Sequence, residues 1–364
     1  MHRTTALPLP TADLAALKRR VALLAENRPA VYCMTDASGR TIYVGKAKKL
    51  RARLLSYFRA RYPEDKASRI LHAAADITWH YVPSEFAAYL GELRQIRRHR
   101  PVFNVKLNRA RRAVFIKLVE GPAPKLSWGA CRNDSTQRCW GPFTSSGRVA
   151  DAVRTLNDVL GLRDCRAAMP MVFAEQGDLF DSQRRAACLR HELGTCGGPC
   201  AGFVTVSAYR DRIDTAVAFL EGRTIQPIDR VLDAMQEAGE REEFERATRW
   251  REKFEALEWL FAAGNRARAA VDLLTFVYHD PGTYGDDRAY LIRQGTVRAC
   301  FPYPATPIER EAFRGVVTDE IALPAPAAGA LPPAAIDEIL LIMSWFRRHP
   351  DALRRTTSLE SWLA

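Results

Sequence analysis

The chain has 364 residues, enough for two or three domains with hydrophobic cores of their own. Its formal net charge is +12, whereas residues 1–120 alone carry 24 Lys and Arg residues against 9 Asp and Glu residues. No run approaches the roughly 20 apolar residues of a membrane span, and no signal peptide is recognisable. We therefore expect a cytoplasmic protein with reduced cysteines whose N-terminal third binds a polyanion, the alternative being a merely solvated basic surface.

The first third of the chain predicts a helix followed by a small α/β unit. Apolar residues recur at helical spacing from Leu14 to Leu24, and Thr11 is the expected cap of this helix, within residues 1–27. Alternating and helical patterns over 28–108 then predict a compact domain. Its expected elements are a hairpin with its turn at 36–39, a helix from about 50, a strand over 76–82, and a helix over 84–99 that ends before Pro101.

The remaining two thirds predict further domains of mixed type. Two strands are expected over 113–131, and a helix that closes on Gly161 precedes a cysteine-rich irregular segment. The predicted fold class is an α+β multidomain chain. Its expected parts are a cysteine-rich domain at 109–205, a connecting helix at 206–227, a helical hairpin at 228–262, and a β-rich domain with a terminal helix at 270–364, reached through a Pro- and Ala-rich linker.

The stretch "TIYVGKAKKLRARLLSYF" (41–58) joins a strand to a basic helix through a tight turn. Phosphodiester hydrolysis needs a base for the attacking water and cations that stabilise charge on the phosphoryl oxygens. Tyr43 and Lys46 flank Gly45 at this turn, and a neighbouring ammonium favours tyrosinate, so Tyr43 is a candidate general base. Arg53 can bind phosphate, and Glu92 on another helix is a single carboxylate suited to Mg²⁺.

Three segments together resemble a known family. "AVYCM", "IYVGKAKKLRARLLSYF" and "GELRQIRRHRPVFNVKL" are similar to the GIY-YIG nuclease domain of UvrC, the incision subunit of bacterial nucleotide excision repair. The resemblance implies a metal-dependent DNA endonuclease with Mg²⁺ or Mn²⁺ on Glu92. The catalytic residues that it implies are Tyr32, Tyr43, Gly45, Lys46, Arg53, Tyr57, Glu92 and Asn104.

Five of these residues also have an ordinary structural explanation. Tyr32 and Tyr43 could be half-buried sheet residues, Lys46 and Arg53 could bind phosphate without catalysis, and Glu92 could be a surface carboxylate. Additional contacts to damaged double-stranded DNA are expected from the basic residues around this unit. They are Lys48, Lys49, Arg51, Arg109, Arg111 and Arg112.

Four cysteines stand in the segment "GLRDC" to "CLRHELGTCGGPCAG", which resembles the cysteine-rich region of UvrC. Soft thiolates select iron–sulfur clusters or Zn²⁺. The resemblance implies a [4Fe–4S] cluster on these residues, and zinc or four reduced thiols are the alternatives. The proposed ligands are Cys165, Cys188, Cys196 and Cys200. The others, Cys33, Cys131, Cys139 and Cys300, are expected to be buried hydrophobic residues.

The segment "VLDAMQEAGEREEFERATRWREKFEALEWL" (231–260) predicts two antiparallel helices. It resembles the UVR motif, by which UvrC-type proteins contact the helicase subunit UvrB and so, indirectly, UvrA. A generic αα-hairpin is the alternative. The implied contact residues are Met235, Ala238, Phe244, Glu245, Ala247 and Arg251.

The C-terminal region shows no second nuclease pattern, because its aspartates, including Asp280 and Asp286, do not form a carboxylate cluster in sequence. The chain is therefore similar to short UvrC homologues of the Cho type, and we expect one incision, on the 3′ side of a lesion. Two other functions stay open: a structure-specific nuclease independent of UvrA and UvrB, and a non-catalytic DNA-binding adaptor. The sequence assigns no role to residues 270–364.

Overall fold

Three antiparallel sheets organise the backbone in a computed structural model, which describes residues 13–104, 113–131, 138–176, 188–323 and 330–363. These residues fall into two compact units. The first takes its residues from Met1–Ala110, Leu274–Pro324 and Asp337–Ala364, and the second from Arg111–Leu273 and Ala325–Ile336. The expected mixture of helices and sheets in several domains is confirmed. No helix in the described part is long and apolar enough to cross a membrane.

The N-terminal part of the first unit is a small sheet with helices around it. Its elements are α1 (Leu14–Leu24), β1 (Ala30–Thr35), β2 (Thr41–Ala47), α2 (Leu50–Tyr57), α3 (Lys66–Ala73), β3 (Asp76–Tyr81) and α4 (Glu85–His99). The sheet order is β2-β1-β3, so β1 is central. It places Tyr32 opposite Gly45 on one side and opposite Trp79 on the other.

The β1–β2 hairpin is confirmed, and local chemistry explains its turn. Oδ1 of Asp36 accepts hydrogen bonds from the backbone N–H groups of Ser38 and Arg40, at 3.0 and 3.1 Å. Gly39 has a φ of 79°, a left-handed conformation that glycine adopts without steric cost. This tight turn holds the two tyrosine-bearing strands in register.

Two features of this part differ from the prediction. Asp13 caps α1, since its Oδ1 accepts from the N–H groups of Ala15 and Ala16, and Thr11 lies outside the described residues. Helix α3 was not predicted; its buried face consists of Ser68, Ile70 and Leu71. This helix is eight residues long, and so short an apolar pattern is difficult to distinguish from a loop.

The C-terminal part of the first unit is a second sheet with order β10-β7-β8-β9. Its elements are β7 (Phe276–Asp280), β8 (Arg288–Arg293), β9 (Thr296–Pro302), α10 (Pro307–Ala322), α11 (Ile336–Arg348), α12 (Pro350–Leu353), β10 (Thr356–Thr357) and α13 (Leu359–Leu363). The sequence predicted β7, β8, β9 and α11 but missed α10, α12, β10 and α13. The start of α10 carries a capping box, in which Thr306 and Glu309 each bond the other's backbone N–H.

The N-terminal and C-terminal parts of this unit share a hydrophobic core. Phe86 and Leu90 of α4 are buried against Phe276, Tyr278 and Trp345 of the C-terminal part. The ring of Phe86 meets those of Tyr278 and Tyr290 edge-on, at centroid distances of 5.2 and 4.9 Å. Residues 28–108 and 270–364, predicted as separate domains, therefore form one unit around α4.

The second unit packs a three-stranded sheet, of order β5-β4-β6, against helices. Its elements are β4 (Val114–Val119), β5 (Lys125–Gly129), β6 (Cys139–Phe143), α5 (Ser146–Leu160), α6 (Leu189–Glu192), α7 (Val206–Leu220), α8 (Gln226–Glu240) and α9 (Phe244–Asp272). The predicted helix closing on Gly161 is confirmed as α5, whose C-cap Gly161 has a φ of 66°. Strand β6 was missed, and α9 extends ten residues beyond the expected hairpin.

The cysteines outside the predicted ligand set differ from expectation. Cys131 and Cys139 are buried as expected but form a disulfide, so the prediction that all cysteines are reduced is wrong for this pair. Cys33 is half-buried, and Cys300 is exposed because β9 lies at the edge of its sheet. Neither Cys33 nor Cys300 is therefore a buried core residue.

Candidate active site

Three tyrosines from three different elements meet on one side of the first sheet. Tyr32 of β1, Tyr43 of β2 and Tyr57 of α2 have ring centroids 6.1 to 6.2 Å apart. The hydroxyls of Tyr32 and Tyr57 are 2.8 Å apart and share a hydrogen bond. The three phenols therefore form one network, in which Tyr32 and Tyr57 are hydrogen-bonded and the ring of Tyr43 packs against both.

Gly45 makes room for this network. It lies directly across from Tyr32, and a Cβ atom at position 45 would lie 2.5 Å from both Cζ and Oη of Tyr32. No side chain fits there without displacing the phenol. The sequence predicted that Gly45 allows close approach of the backbone, and the group that approaches it in the structure is the Tyr32 ring.

Arg53 brings a positive charge to the same network. Its Nε donates to the Tyr32 hydroxyl at 3.4 Å, and its guanidinium lies 5.3 Å from the centre of the Tyr57 ring. Burial raises the pKa of both Tyr32 and Tyr57 above the ordinary range. These two phenols are therefore neutral at physiological pH and act as hydrogen-bonding groups.

Glu92 reaches the turn from α4, although 46 positions separate it from Lys46. Burial raises the pKa of its carboxyl to about 7, and the charges of Lys46 and Arg53 and a hydrogen bond from the Lys46 backbone act in the opposite direction. The charges of Lys46 and Arg53, the two cations of the basic strand–turn–helix segment, therefore both act on the Glu92 carboxylate. The tertiary structure thus brings Glu92 together with Lys46 and Arg53, the residues that the sequence analysis grouped with it.

The placement of Glu92 depends on how closely α4 approaches the sheet. A Cβ atom at the neighbouring Gly91 would lie 2.8 Å from Cγ2 of Val31 on β1. Ala88 and Ile96 of α4 pack with Val31 and Val44 in the same small core. The sequence analysis missed Gly91, although a glycine inside a predicted helix indicates close packing.

Lys46 has a neighbour that the sequence analysis did not identify. Its Nζ lies 3.4 Å from the centre of the Tyr89 ring, a cation–π contact. Tyr89 precedes Glu92 by three residues on α4, a spacing that puts the two side chains on neighbouring positions of one helix face. That spacing is the sequence signal that could have pointed to Tyr89.

Asn104 holds β2 in place beside the phenols. Its Oδ1 accepts from the backbone N–H of Val44 at 2.9 Å, and its Nδ2 donates to the Val44 carbonyl at 2.7 Å. The side chain is buried, and both of its polar ends are used. Its contacts are with the strand that carries Tyr43 and Gly45.

The basic residues predicted to touch DNA are in different situations. Lys48 and Lys49 are exposed at the start of α2, and Lys48 Nζ is 4.0 Å from a carboxylate oxygen of Glu85. Arg51 is half-buried, and its Nε donates to the Ala25 carbonyl, which ties α2 to the end of α1. Arg109, Arg111 and Arg112 lie outside the described residues.

The four predicted ligand cysteines lie in one neighbourhood without forming a metal site. Burial raises the pKa of Cys196 and Cys200, and the nearby Cys188 thiolate raises both further. Cys165 also acts on Cys200. Within the described ranges, however, no group of three or more His, Cys, Asp or Glu side chains is placed to hold a metal ion.

The helical hairpin predicted over 228–262 is formed by α8 and α9. Phe244 is 71 % exposed at the tip, whereas Ala238 is 1 % exposed and packs inside the unit. Ala238 is thus not part of an accessible contact surface. Met235 and Ala247 are half-buried, and Glu245 and Arg251 are exposed, with Arg251 Nε 3.2 Å from Glu255 Oε1.

Comparisons with known proteins define the class of this chain. Residues 28–105 match the UvrC-like GIY-YIG domain, and residues 113–219 match the middle domain of the UvrC/Cho excinucleases. The chain therefore carries a UvrC-like GIY-YIG domain followed by a UvrC/Cho middle domain. It belongs with the UvrC-like proteins.

Individual relatives agree with this assignment. UvrABC system protein C of Dictyoglomus thermophilum is 32% identical over 285 residues, which cover 77% of this chain and 45% of that protein. The same protein of Alkalilimnicola ehrlichii is 34% identical over 233 residues, or 64% of this chain and 36% of the relative. The chain spans less than half the length of these relatives. The magnesium-bound GIY-YIG endonuclease domain of Thermotoga maritima UvrC is 33% identical, covering 24% of this chain and 96% of that domain, with a TM-score of 0.22.

Proposed function

We propose that the chain is a metal-dependent DNA endonuclease of nucleotide excision repair, which acts in the cytoplasm and makes one incision, on the 3′ side of a lesion. The observation that carries this proposal is the convergence of Glu92 with Lys46 and Arg53, and Arg53 also donates a hydrogen bond to Tyr32 of the phenol network. A carboxylate, two cations and neutral hydroxyls are the groups that in-line phosphodiester hydrolysis requires. The names of the relatives support the repair context.

The residues around Glu92 fit a hydrated divalent cation. The carboxylate is desolvated, and the charges of Lys46 and Arg53 do not restore its pKa to the ordinary range. One carboxylate with water and substrate oxygens is a common Mg²⁺ environment. When bound, Mg²⁺ or Mn²⁺ would polarise the scissile phosphate and stabilise the leaving oxygen.

The side chains of the protein have separate roles in the reaction. Tyr43 accepts the proton of the attacking water. Arg53 stabilises charge that develops on the phosphoryl oxygens. Tyr32 and Tyr57, both neutral, orient water and phosphate through hydrogen bonds, and Gly45 and Asn104 keep β2 in position. Lys48, Lys49 and Arg51, together with Arg109, Arg111 and Arg112, add salt-dependent affinity for duplex DNA.

The α8–α9 hairpin is the proposed contact for UvrB, and UvrA enters only indirectly. Phe244 supports this, because a large aromatic side chain that is 71 % exposed is a good anchor for a partner. The contact surface consists of Met235, Phe244, Glu245, Ala247 and Arg251, without the buried Ala238. A Phe244→Ala variant should nick poorly in the presence of UvrA and UvrB but retain its affinity for DNA.

A nicking assay on duplex DNA with one bulky lesion tests the function. We expect cutting only with UvrA, UvrB and a divalent cation, and at least a hundredfold slower cutting by Glu92→Gln. The exposed Glu120→Gln, on the other unit and outside the hairpin, is the control. Cutting of branched DNA by the chain alone would support the structure-specific nuclease instead. Binding without cutting in any metal would support the adaptor.

The metal on the cysteine segment is a separate proposal. Cys165, Cys188, Cys196 and Cys200 would hold a [4Fe–4S] cluster, or Zn²⁺, with an architectural role. Their mutual electrostatic influence supports the proposal, and the lack of a preformed ligand group in the described part speaks against it. Iron, sulfide and zinc analysis of anaerobically purified protein decides between cluster, zinc and free thiols.

A further inference from the structure

The C-terminal part of the first unit contacts α4 along its whole length. At the start of α4, the hydroxyl of the cap residue Ser84 donates to Asp280 of β7 and accepts from the N–H of Ala87 at 3.0 Å. At its last turn, Arg97 is 3.6 Å from a carboxylate oxygen of Glu338 on α11. The helix that carries Glu92 is therefore fastened at both ends to residues beyond 274.

Trp345 of α11 makes the contact in the middle of α4. Its ring is 8 % exposed and lies 5.2 Å from Phe86 and 5.7 Å from Tyr89, measured between centroids. The contact with Tyr89 is edge-on, at an interplanar angle of 64°. On its other side, Trp345 stacks on His349 at 3.9 Å. The indole is thus held firmly and limits the positions open to the Tyr89 ring.

Tyr89 connects this core to the active site. One of its neighbours is Trp345, and the other is the Lys46 ammonium, 3.4 Å from the ring centre. The contact with Lys46 uses the face of the ring, which carries the partial negative charge that attracts a cation. It does not need the phenolic hydroxyl.

We propose that Trp345 and Tyr89 are positioning residues, which hold the Lys46 ammonium beside the reaction centre and so give the C-terminal part of the unit a role in catalysis. Without the ring, the flexible lysine side chain would sample many rotamers, and ordering one of them costs free energy. With the ring, that ordering is completed during folding rather than in the transition state. This inference rests on the proposed nuclease function for its kinetic consequence only.

The first experiment measures the contact without activity. The chain has nine lysines, and reductive ¹³C-dimethylation keeps their charge and labels each for NMR. The signal of Lys46, assigned by its absence in Lys46→Arg, should be shifted upfield by the ring current of Tyr89. We expect Tyr89→Leu to abolish the shift, Tyr89→Phe to keep it, and Trp345→Leu to reduce it. An unshifted Lys46 signal in the parent chain overturns the inference.

The second experiment measures nicking by the full chain under single-turnover conditions. Tyr89→Leu should lower the maximal rate about tenfold at unchanged DNA affinity, and Tyr89→Phe should restore most of it. Trp345→Leu should lower the rate severalfold, and Trp345→Met replaces it if the leucine variant does not fold. The controls are Tyr303→Leu and Trp362→Leu, aromatic residues of the same unit outside this contact.

The outcomes separate this inference from the proposed function. A parent chain that never nicks overturns the function, while the NMR experiment still tests the contact between Tyr89 and Lys46. A parent that nicks as fast as Tyr89→Leu overturns the positioning role alone. A loss of DNA affinity equal to the loss of rate would do the same, since it would assign Tyr89 to binding.

Discussion

The phenol network shows how single residues build the site. Tyr57 is 2 % exposed, its hydroxyl is 2.8 Å from that of Tyr32, and the Tyr32 hydroxyl in turn accepts from Nε of Arg53. Such networks exceed the sum of their pairwise contacts, because each hydrogen bond polarises the next. Removing the Tyr57 hydroxyl should therefore disturb Tyr32 and, through it, Arg53.

Tyr57→Phe is the direct test at this scale. We expect the nicking rate to fall about tenfold, because the substitution removes the buried hydrogen bond to Tyr32, which is worth about 1 to 1.5 kcal/mol. DNA affinity should not change, since the basic residues around the site supply most of it. Single-turnover nicking and fluorescence anisotropy measure the two quantities. Tyr62→Phe, on the exposed surface, is the matched control, and equal rates for both variants would contradict the network.

Helix α4 shows what one element contributes. One face packs on β1 and β2 through Ala88 and Ile96, and a second is buried on the C-terminal sheet through Phe86 and Leu90. The third face carries Tyr89 and Glu92 to the site. A helix buried on two sides is held at a fixed depth, so its distance from the sheet determines where the Glu92 carboxylate lies.

Gly91→Ala tests this dependence on depth. The new Cβ would lie 2.8 Å from Cγ2 of Val31, so the helix must move outward, at a cost of about 1 to 3 kcal/mol. The higher helix propensity of alanine offsets about 1 kcal/mol of this cost. We expect the nicking rate to fall about tenfold and the Val31→Ala/Gly91→Ala double variant to recover it. If the double variant is as slow as the single one, the steric explanation is wrong.

At the scale of the molecule, the first unit is assembled from distant parts of the chain. Ser84 and Asp280 are 196 positions apart, and their hydrogen bond is buried. Burial raises the pKa of the Asp280 carboxyl to about 6, although bonds from Ser84 and Tyr278 favour its charged form. The contact between the two parts therefore contains a carboxylate that is costly to ionise.

This carboxylate predicts a pH dependence of stability. Because folding raises its pKa, the folded chain binds the proton more tightly than the unfolded chain, and stability falls as pH rises from about 4 to about 7. Over this pH range the free energy of unfolding should fall by about 3 kcal/mol. In Asp280→Asn, which can still accept from Ser84, this loss should disappear. Denaturant unfolding of parent and variant from pH 4 to 7 measures it, with the exposed Asp351→Asn as control. Parallel curves for Asp280→Asn and parent would contradict it.

The sequence by itself determined the local half of the site. Tyr32, Tyr43, Gly45 and Lys46 lie on one hairpin, and the turn at 36–39 holds its two strands in register. Arg53 and Tyr57 are one turn apart on the helix that follows. These positions follow from strand alternation and helical periodicity, which act over a few residues and are visible in the spacing.

The tertiary structure alone decided the other half of the site, which is built from residues far apart in the sequence. Periodicity indicates that α4 has apolar faces, but it does not reveal that one of them packs on Trp345 and Phe276, more than 180 residues away. For the same reason the ring of Tyr89 over Lys46 and the bond between Cys131 and Cys139 could not be predicted. The hydrophobic effect is non-directional and depends on how much apolar area is buried, not on which surface covers it. Only the folded chain therefore determines which surfaces meet.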